Sequence, residues 1–141
     1  MNDPYNLQRF VDAQKSVYER ARAELAAGQK RGHWIWFIFP QLKGLGMSAM
    51  SEEFGIASLA EAKAYMHHPI LGTRLRECTQ LVQKVEGRSV DQIFGYPDNF
   101  KFRSSMTLFA QSTPDNQVFR DALEKYFGGE GDSLTMERLG K

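Results

Sequence analysis

Apolar residues along this chain recur in steps of three and four far more often than they alternate, and that spacing predicts helices. Leu7, Phe10 and Val11 open the pattern. Val17, Ala21 and Leu25 form the next stripe, in an alanine-rich segment that Ser16 and Glu19 would start as a capping box and Gly28 would stop. Ser58 and Glu61 repeat the box ahead of Leu59, Ala62 and Met66, and Pro69 breaks that helix and can start another. Leu71, Leu75, Cys78, Val82 and Val85 then give the cleanest amphipathic stripe, closed by Gly87. Ser89 and Gln92 suggest a short helix ending at Gly95. Asp98 is placed to cap a helix that runs to about Gln111, with Phe102, Met106 and Phe109 on one face. Beyond Thr113-Pro114-Asp115, the residues Val118, Phe119, Ala122, Leu123 and Tyr126 make another.

One run resists this reading. Trp34 to Phe39 is aromatic and β-branched, which favours a strand on propensity. No other segment reads as a strand, and a lone buried strand would leave its backbone groups unpaired. A short buried helix, apolar on all sides, is the better assignment. The expected fold class is therefore all-α: a compact multihelical single domain of about seven or eight short helices. It spans residues 1–141, with a core over about 7–129. Gly128, Gly129 and Gly131 open a flexible C-terminal tail over about 128–141, in which a short terminal turn at Ser133 to Leu139 is expected.

Composition narrows the class without changing it. With 42% hydrophobic and 25% charged residues, the 141-residue chain has the balance of an ordinary globular protein. Eighteen basic against seventeen acidic residues give a formal charge of +1, which weighs against a general nucleic-acid partner. Such a partner would need Lys30, Arg31, Lys43 and Arg103 on one face. The longest apolar run is far below the roughly 20 residues that cross a bilayer, so no membrane partner is expected. The first residues lack the pattern of a signal peptide, and the single cysteine forms no internal disulfide, so a cytoplasmic location is expected.

Two segments carry candidate chemistry. Lys30-Arg31-Gly32-His33 leads into the aromatic run, and free amides of a helix starting there would join the basic cluster in favouring a phosphate or carboxylate. Trp34 or Trp36 would stack on a flat ligand, although the two cannot share one helix face. Gln41 follows at the end of the run. The second segment holds Asp98, Lys101 and Ser105 on one helix face, with Ser104 beside it and Thr107 on another. A partly desolvated Lys101 would hold an anion or act as a base, and Asp98 would orient it. The plainer alternative for each is a solvated basic turn, and a helix-start ion pair with serines bonded to the carbonyl four residues back. Catalytic candidates are Asp98, Lys101, Ser105 and His33. His67-His68 lacks metal-ligand spacing, so no metal is expected, and nothing implies a cofactor.

The same segments carry a family resemblance. His33-Trp34-Ile35-Trp36-Phe37-Ile38-Phe39-Pro40-Gln41 with Gly44 and Gly46, and Asp98-Asn99-Phe100-Lys101-Phe102-Arg103-Ser104-Ser105-Met106-Thr107-Leu108-Phe109, resemble the signature of the family called domain of unknown function 1810. Arg9 to Gln14 and Ile70 to Cys78 also match, so the likeness runs from about Leu7 to Gly129. It implies a small bacterial multihelical domain and supports helix over strand for Trp34 to Phe39. It implies no reaction, and the calpastatin label of some members finds no support in these residues. Lys15-Ser16 departs from the family pattern at a helix junction only. The functional expectation is a site that binds or processes a small, anionic, nucleotide-like metabolite. The alternative is a non-catalytic protein-interaction module whose aromatic run is pure core.

Overall fold

The computed structural model describes residues 3–141, and ten helices form along them. They are α1 (Gln8–Gln14), α2 (Tyr18–Ala26), α3 (Ile35–Ile38), α4 (Ala49–Glu53), α5 (Leu59–His67), α6 (Leu71–Lys84), α7 (Val90–Phe94), α8 (Asp98–Ser112), α9 (Gln117–Phe127) and α10 (Ser133–Arg138). Among the described residues no strand forms, and the sole β feature is a bridge between Leu42 and Ile56. The all-α expectation therefore stands, but ten helices replace seven or eight. α4 went unread because Ser48 caps it by accepting from Ser51 N–H at 3.1 Å, without the Glu or Gln that marks a capping box. α10 is more than a turn: Asp132 accepts from the N–H and the hydroxyl of Thr135, which is fully buried, and the helix packs against α8.

Each cap expected from the sequence meets a different fate. Ser89 and Gln92 form the complete reciprocal box at the start of α7. Ser58 caps α5 through Glu61 N–H, but the Glu61 carboxylate turns away to Ala57 N–H (3.0 Å) and Arg9 (2.8 Å). Ser16 does not cap α2, whose N-cap is Val17, and Glu19 pairs with Arg22 instead. Asp98 is the first residue of α8, not its cap, because two lysines claim its carboxylate.

α8 is the centre of the molecule, packed against α5 and α9, with α7 and α10 also on it. Phe102, Met106 and Phe109 are fully buried, and Leu108 joins them from another side of the helix. The α6 stripe of Leu71, Leu75, Cys78 and Val82 is buried as its period requires, against α2, α5 and α9. Gly72 lets α6 start tight against the end of α5: a Cβ there would stand 2.2 Å from the Met66 carbonyl oxygen. Arg9 ties α1 to the α4–α5 region with all five guanidinium N–H groups, reaching the carbonyls of Tyr5, Asn6, Glu53 and Gly55 and the Glu61 carboxylate. The Trp34 to Phe39 run folds as the single turn of α3, with Trp34, Ile35, Ile38 and Phe39 in the core. Pro40 ends it by forcing Phe39 out of helical geometry.

Candidate functional site

The two segments singled out in the sequence meet in space. Lys30 Nζ lies 2.6 Å from one oxygen of Asp98 and Lys101 Nζ lies 3.3 Å from the other, so one carboxylate joins the loop before α3 to the first turn of α8. Each ammonium also sits over an indole: Lys30 is 5.1 Å from the Trp34 ring centroid and Lys101 is 4.5 Å from that of Trp36. Glu24 closes the cluster from α2, where one carboxylate oxygen accepts from the Arg31 and Gly32 amides and the Trp34 indole N–H. Desolvation raises the Glu24 pKa, but these three bonds and the nearby Lys30 charge outweigh it and leave the carboxyl below its usual range. The cluster is internally compensated. Lys30 has 6% of its side chain exposed and is also bonded to the Gly32 carbonyl, so it contributes to no exposed basic face.

The other expected site residues do not join this group. Arg31 and His33 are exposed. Gln41 is buried near Gly46, and its carbonyl closes the Leu42–Ile56 bridge by accepting from Ile56 N–H. Ser104 donates to the Phe100 carbonyl, and Thr107 donates to the Arg103 carbonyl while accepting from Asp132 N–H. Ser105 is fully buried with no hydrogen-bond partner among the described residues, and the Trp36 indole N–H is likewise buried and unpaired.

A cleft of about 550 Å³ opens on the other flank of α8, between α7 and the end of α9. Three cations line it: Arg88, Arg103 and Lys125. Two of them are held by main-chain oxygens. Arg88 donates to the carbonyls of Gly28 (2.8 Å) and Gln92 (3.1 Å), and Lys125 to those of Gln83 and Val85. Among the described residues neither has a carboxylate within ion-pair reach, so both are positioned without being neutralised. Arg103 reaches the carbonyl of Glu130 and, at 3.6 Å, its exposed carboxylate. Phe100, Tyr126 and Phe127 supply the aromatic wall, with the Arg103 guanidinium 5.2 Å from the Phe127 ring centroid. Asp91 is the acid of the cleft, and it is bonded to the Asn99 amide nitrogen at 2.6 Å.

The first-turn amides of α8 do not create this site. Asn99 N–H is spent on the Gly95 carbonyl, and those of Phe100 and Lys101 on Pro97. The charge comes from side chains. Sequence reasoning missed the cleft because its parts come from three helices that only the fold assembles. The one local signal was the i,i+4 pair Asn99 and Arg103 on a helix face that points away from Lys101. Among the described residues no group of three His, Cys, Asp or Glu side chains is arranged to hold a metal ion. No helix among them is long and apolar enough to cross a membrane.

No curated protein matches the chain. Among solved structures it is similar to the conserved hypothetical protein Rv1873 from Mycobacterium tuberculosis, at 55% sequence identity over 99% of each chain and a TM-score of 0.97. The family described as "Protein of unknown function (DUF1810)" matches residues 4–139, and with the helical fold and both signature segments in place, the chain belongs to that family.

Proposed function

We propose that this protein binds a small anionic metabolite carrying a flat ring, of nucleotide type, in the cleft between α7, α8 and α9. The observation that carries the reading is the pair Arg88 and Lys125, two cations fixed by main-chain oxygens and left uncompensated beside an aromatic wall. Arg103 is met by the Glu130 carboxylate, and Asp91 is the one carboxylate in the lining, so Arg88 and Lys125 together leave the cleft with an excess of positive charge. An anion about 4 Å from one such charge gains roughly 4 kcal/mol at an effective dielectric near 20, before desolvation is subtracted. At the lysine–indole cluster the same anion would compete with Asp98, which already holds both amines. A cleft of 550 Å³ is of the size that accommodates a metabolite. The tryptophan cluster then serves to hold the α2–α3 loop on α8, and Lys101 is a brace.

Calorimetric titration of nucleoside monophosphates, with ribose 5-phosphate as a control that lacks the base, tests this. Binding is expected to weaken with salt and to fall about tenfold or more in Lys125→Met, the loss of one charged hydrogen bond. Lys101→Met is expected to bind as the wild type does. If Lys101→Met abolishes binding and Lys125→Met spares it, the ligand sits at the indoles and the cleft assignment is wrong. Absence of binding to every nucleotide would overturn the small-molecule reading in favour of a protein-interaction module, for which the exposed rings of Tyr96 and Phe100 would be the contact surface.

A further inference from the structure

Asn99 lines the cleft, and one polar atom of its side chain lacks a partner. Asn99 is 7% exposed, and its Oδ1 is buried with no hydrogen-bond partner among the described residues. A buried carbonyl oxygen without a donor is disfavoured unless something supplies one. The amide cannot simply rotate to find a partner. Its Nδ2 donates to Asp91 at 2.6 Å, and turning it over would set two oxygens against each other. Asp91 itself is anchored at the start of α7, the helix opened by the Ser89–Gln92 box. Asn99 is therefore held in one orientation, with its acceptor fixed and unanswered.

That orientation restricts what the side chain can recognise. A free asparagine amide pairs with a heterocycle edge through a donor and an acceptor together. Here the nitrogen is turned to Asp91, and what remains for a ligand is an acceptor. The matching group is a donor that needs no acceptor beside it. The neighbouring cations Arg88, Arg103 and Lys125 are donors only, so they serve the anionic part of the ligand and leave the donor contact to Asn99.

We infer that the ligand of this cleft is a phosphorylated amino-heterocycle, a nucleotide of adenine or cytosine type, and that Asn99 Oδ1 accepts from its exocyclic amine while Asp91 positions Asn99. This rests on the anionic-ligand reading of the same cleft and adds its specificity. Asn99 would touch the ligand, and Asp91 would act through Asn99.

The test is a matched pair of ligands on the intact chain. Adenosine 5′-monophosphate is compared with purine riboside 5′-monophosphate, and cytidine 5′-monophosphate with pyrimidin-2-one riboside 5′-monophosphate. Each pair differs by the amine alone. At least one amino member is expected to bind about tenfold or more tightly than its deamino partner, because the latter leaves the buried oxygen unpaired. Asn99→Leu should erase that difference while keeping the weaker, phosphate-driven affinity. Asp91→Asn should bind but discriminate less, since its amide lets Asn99 turn over. Equal affinity within both pairs for the wild type overturns this inference and leaves the anionic-ligand reading intact. No binding by any of the four overturns this inference, and the anionic-ligand reading falls with it if the other nucleoside monophosphates also fail to bind. If Asn99→Leu fails to fold, the wild-type pairs alone decide.

Discussion

Replacing Glu24 isolates what holds the Arg31–Trp34 turn. One carboxylate oxygen of Glu24 accepts three N–H groups, from Arg31 (2.8 Å), Gly32 (2.9 Å) and the Trp34 indole (2.8 Å). Hydrogen bonds to a charged group are each worth about 1.5–3 kcal/mol, but the three do not count equally. The Arg31 amide is in an exposed setting and the Gly32 amide a partly buried one, so water replaces much of what they lose. The Trp34 ring is 1% exposed, so its N–H would be left stranded, at roughly 1–3 kcal/mol. Glu24→Ala is therefore expected to cost about 2–4 kcal/mol in total, which at roughly 2–4 °C per kcal/mol for a chain of this size is a fall in Tm near 10 °C. Glu24→Gln keeps a neutral acceptor, about half as strong, and should lose about half as much.

The pH dependence gives an independent check. The folded-state pKa of Glu24 lies below its unfolded value, which is about 4.3. The group's contribution is therefore complete above the unfolded pKa and is lost as pH falls through the folded one. The stability gap between wild type and Glu24→Gln should stay constant near neutrality and close in acid. Urea unfolding followed by far-ultraviolet circular dichroism at several pH values measures both effects. A Glu24→Gln variant as unstable as Glu24→Ala, or a gap that widens in acid, would refute the reasoning.

Three further outcomes follow from the packing. Gly72→Ala places a methyl 2.2 Å from the Met66 carbonyl, so it should destabilise by about 1–3 kcal/mol or more in a denaturant titration, although alanine is the better helix former. Arg9→Met strands Glu61, whose side chain is 4% exposed, and is expected to cost about 3–5 kcal/mol. Arg9→Lys should recover only part of that loss, because one ammonium cannot reproduce five planar donors; full recovery would mean that charge alone matters. Burial pushes the Cys78 thiol up to about 12, with the Glu77 charge adding to it, so a thiol reagent at mildly alkaline pH should react at the rate of unfolding, not at the rate of a free thiol.

The secondary structure was readable wherever a buried stripe and a local cap agreed. The α6 stripe from Leu71 to Val82 and the Ser89–Gln92 box depend on residues within one or two turns of each other, so the chain carries them complete. Two of the expected caps failed because a distant partner outbid the near one: Glu61 went to Arg9, fifty-two positions away, and Asp98 to Lys30; Glu19 was instead taken by Arg22, one turn on. The short helices α4 and α10 escaped because a single side-chain cap and tertiary packing hold them where periodicity is too brief to register.

The candidate chemistry divides the same way. Residue types and spacing named the lysines, the indoles and Asp98, and these do come together, since both ammoniums pair with one carboxylate and lie over the indole rings. Whether a charge is spent or available is a property of its neighbours in space. Lys101 ends beside a carboxylate, while Lys125 ends on the last carbonyls of α6, some forty residues back along the chain. That difference moved the proposed site from one flank of α8 to the other. Sequence by itself determined the longer helices and the family, because periodicity and motifs are local and additive. Only the tertiary structure decided which polar groups remain unsatisfied, because satisfaction depends on every group within a few ångströms, whatever its place in the chain.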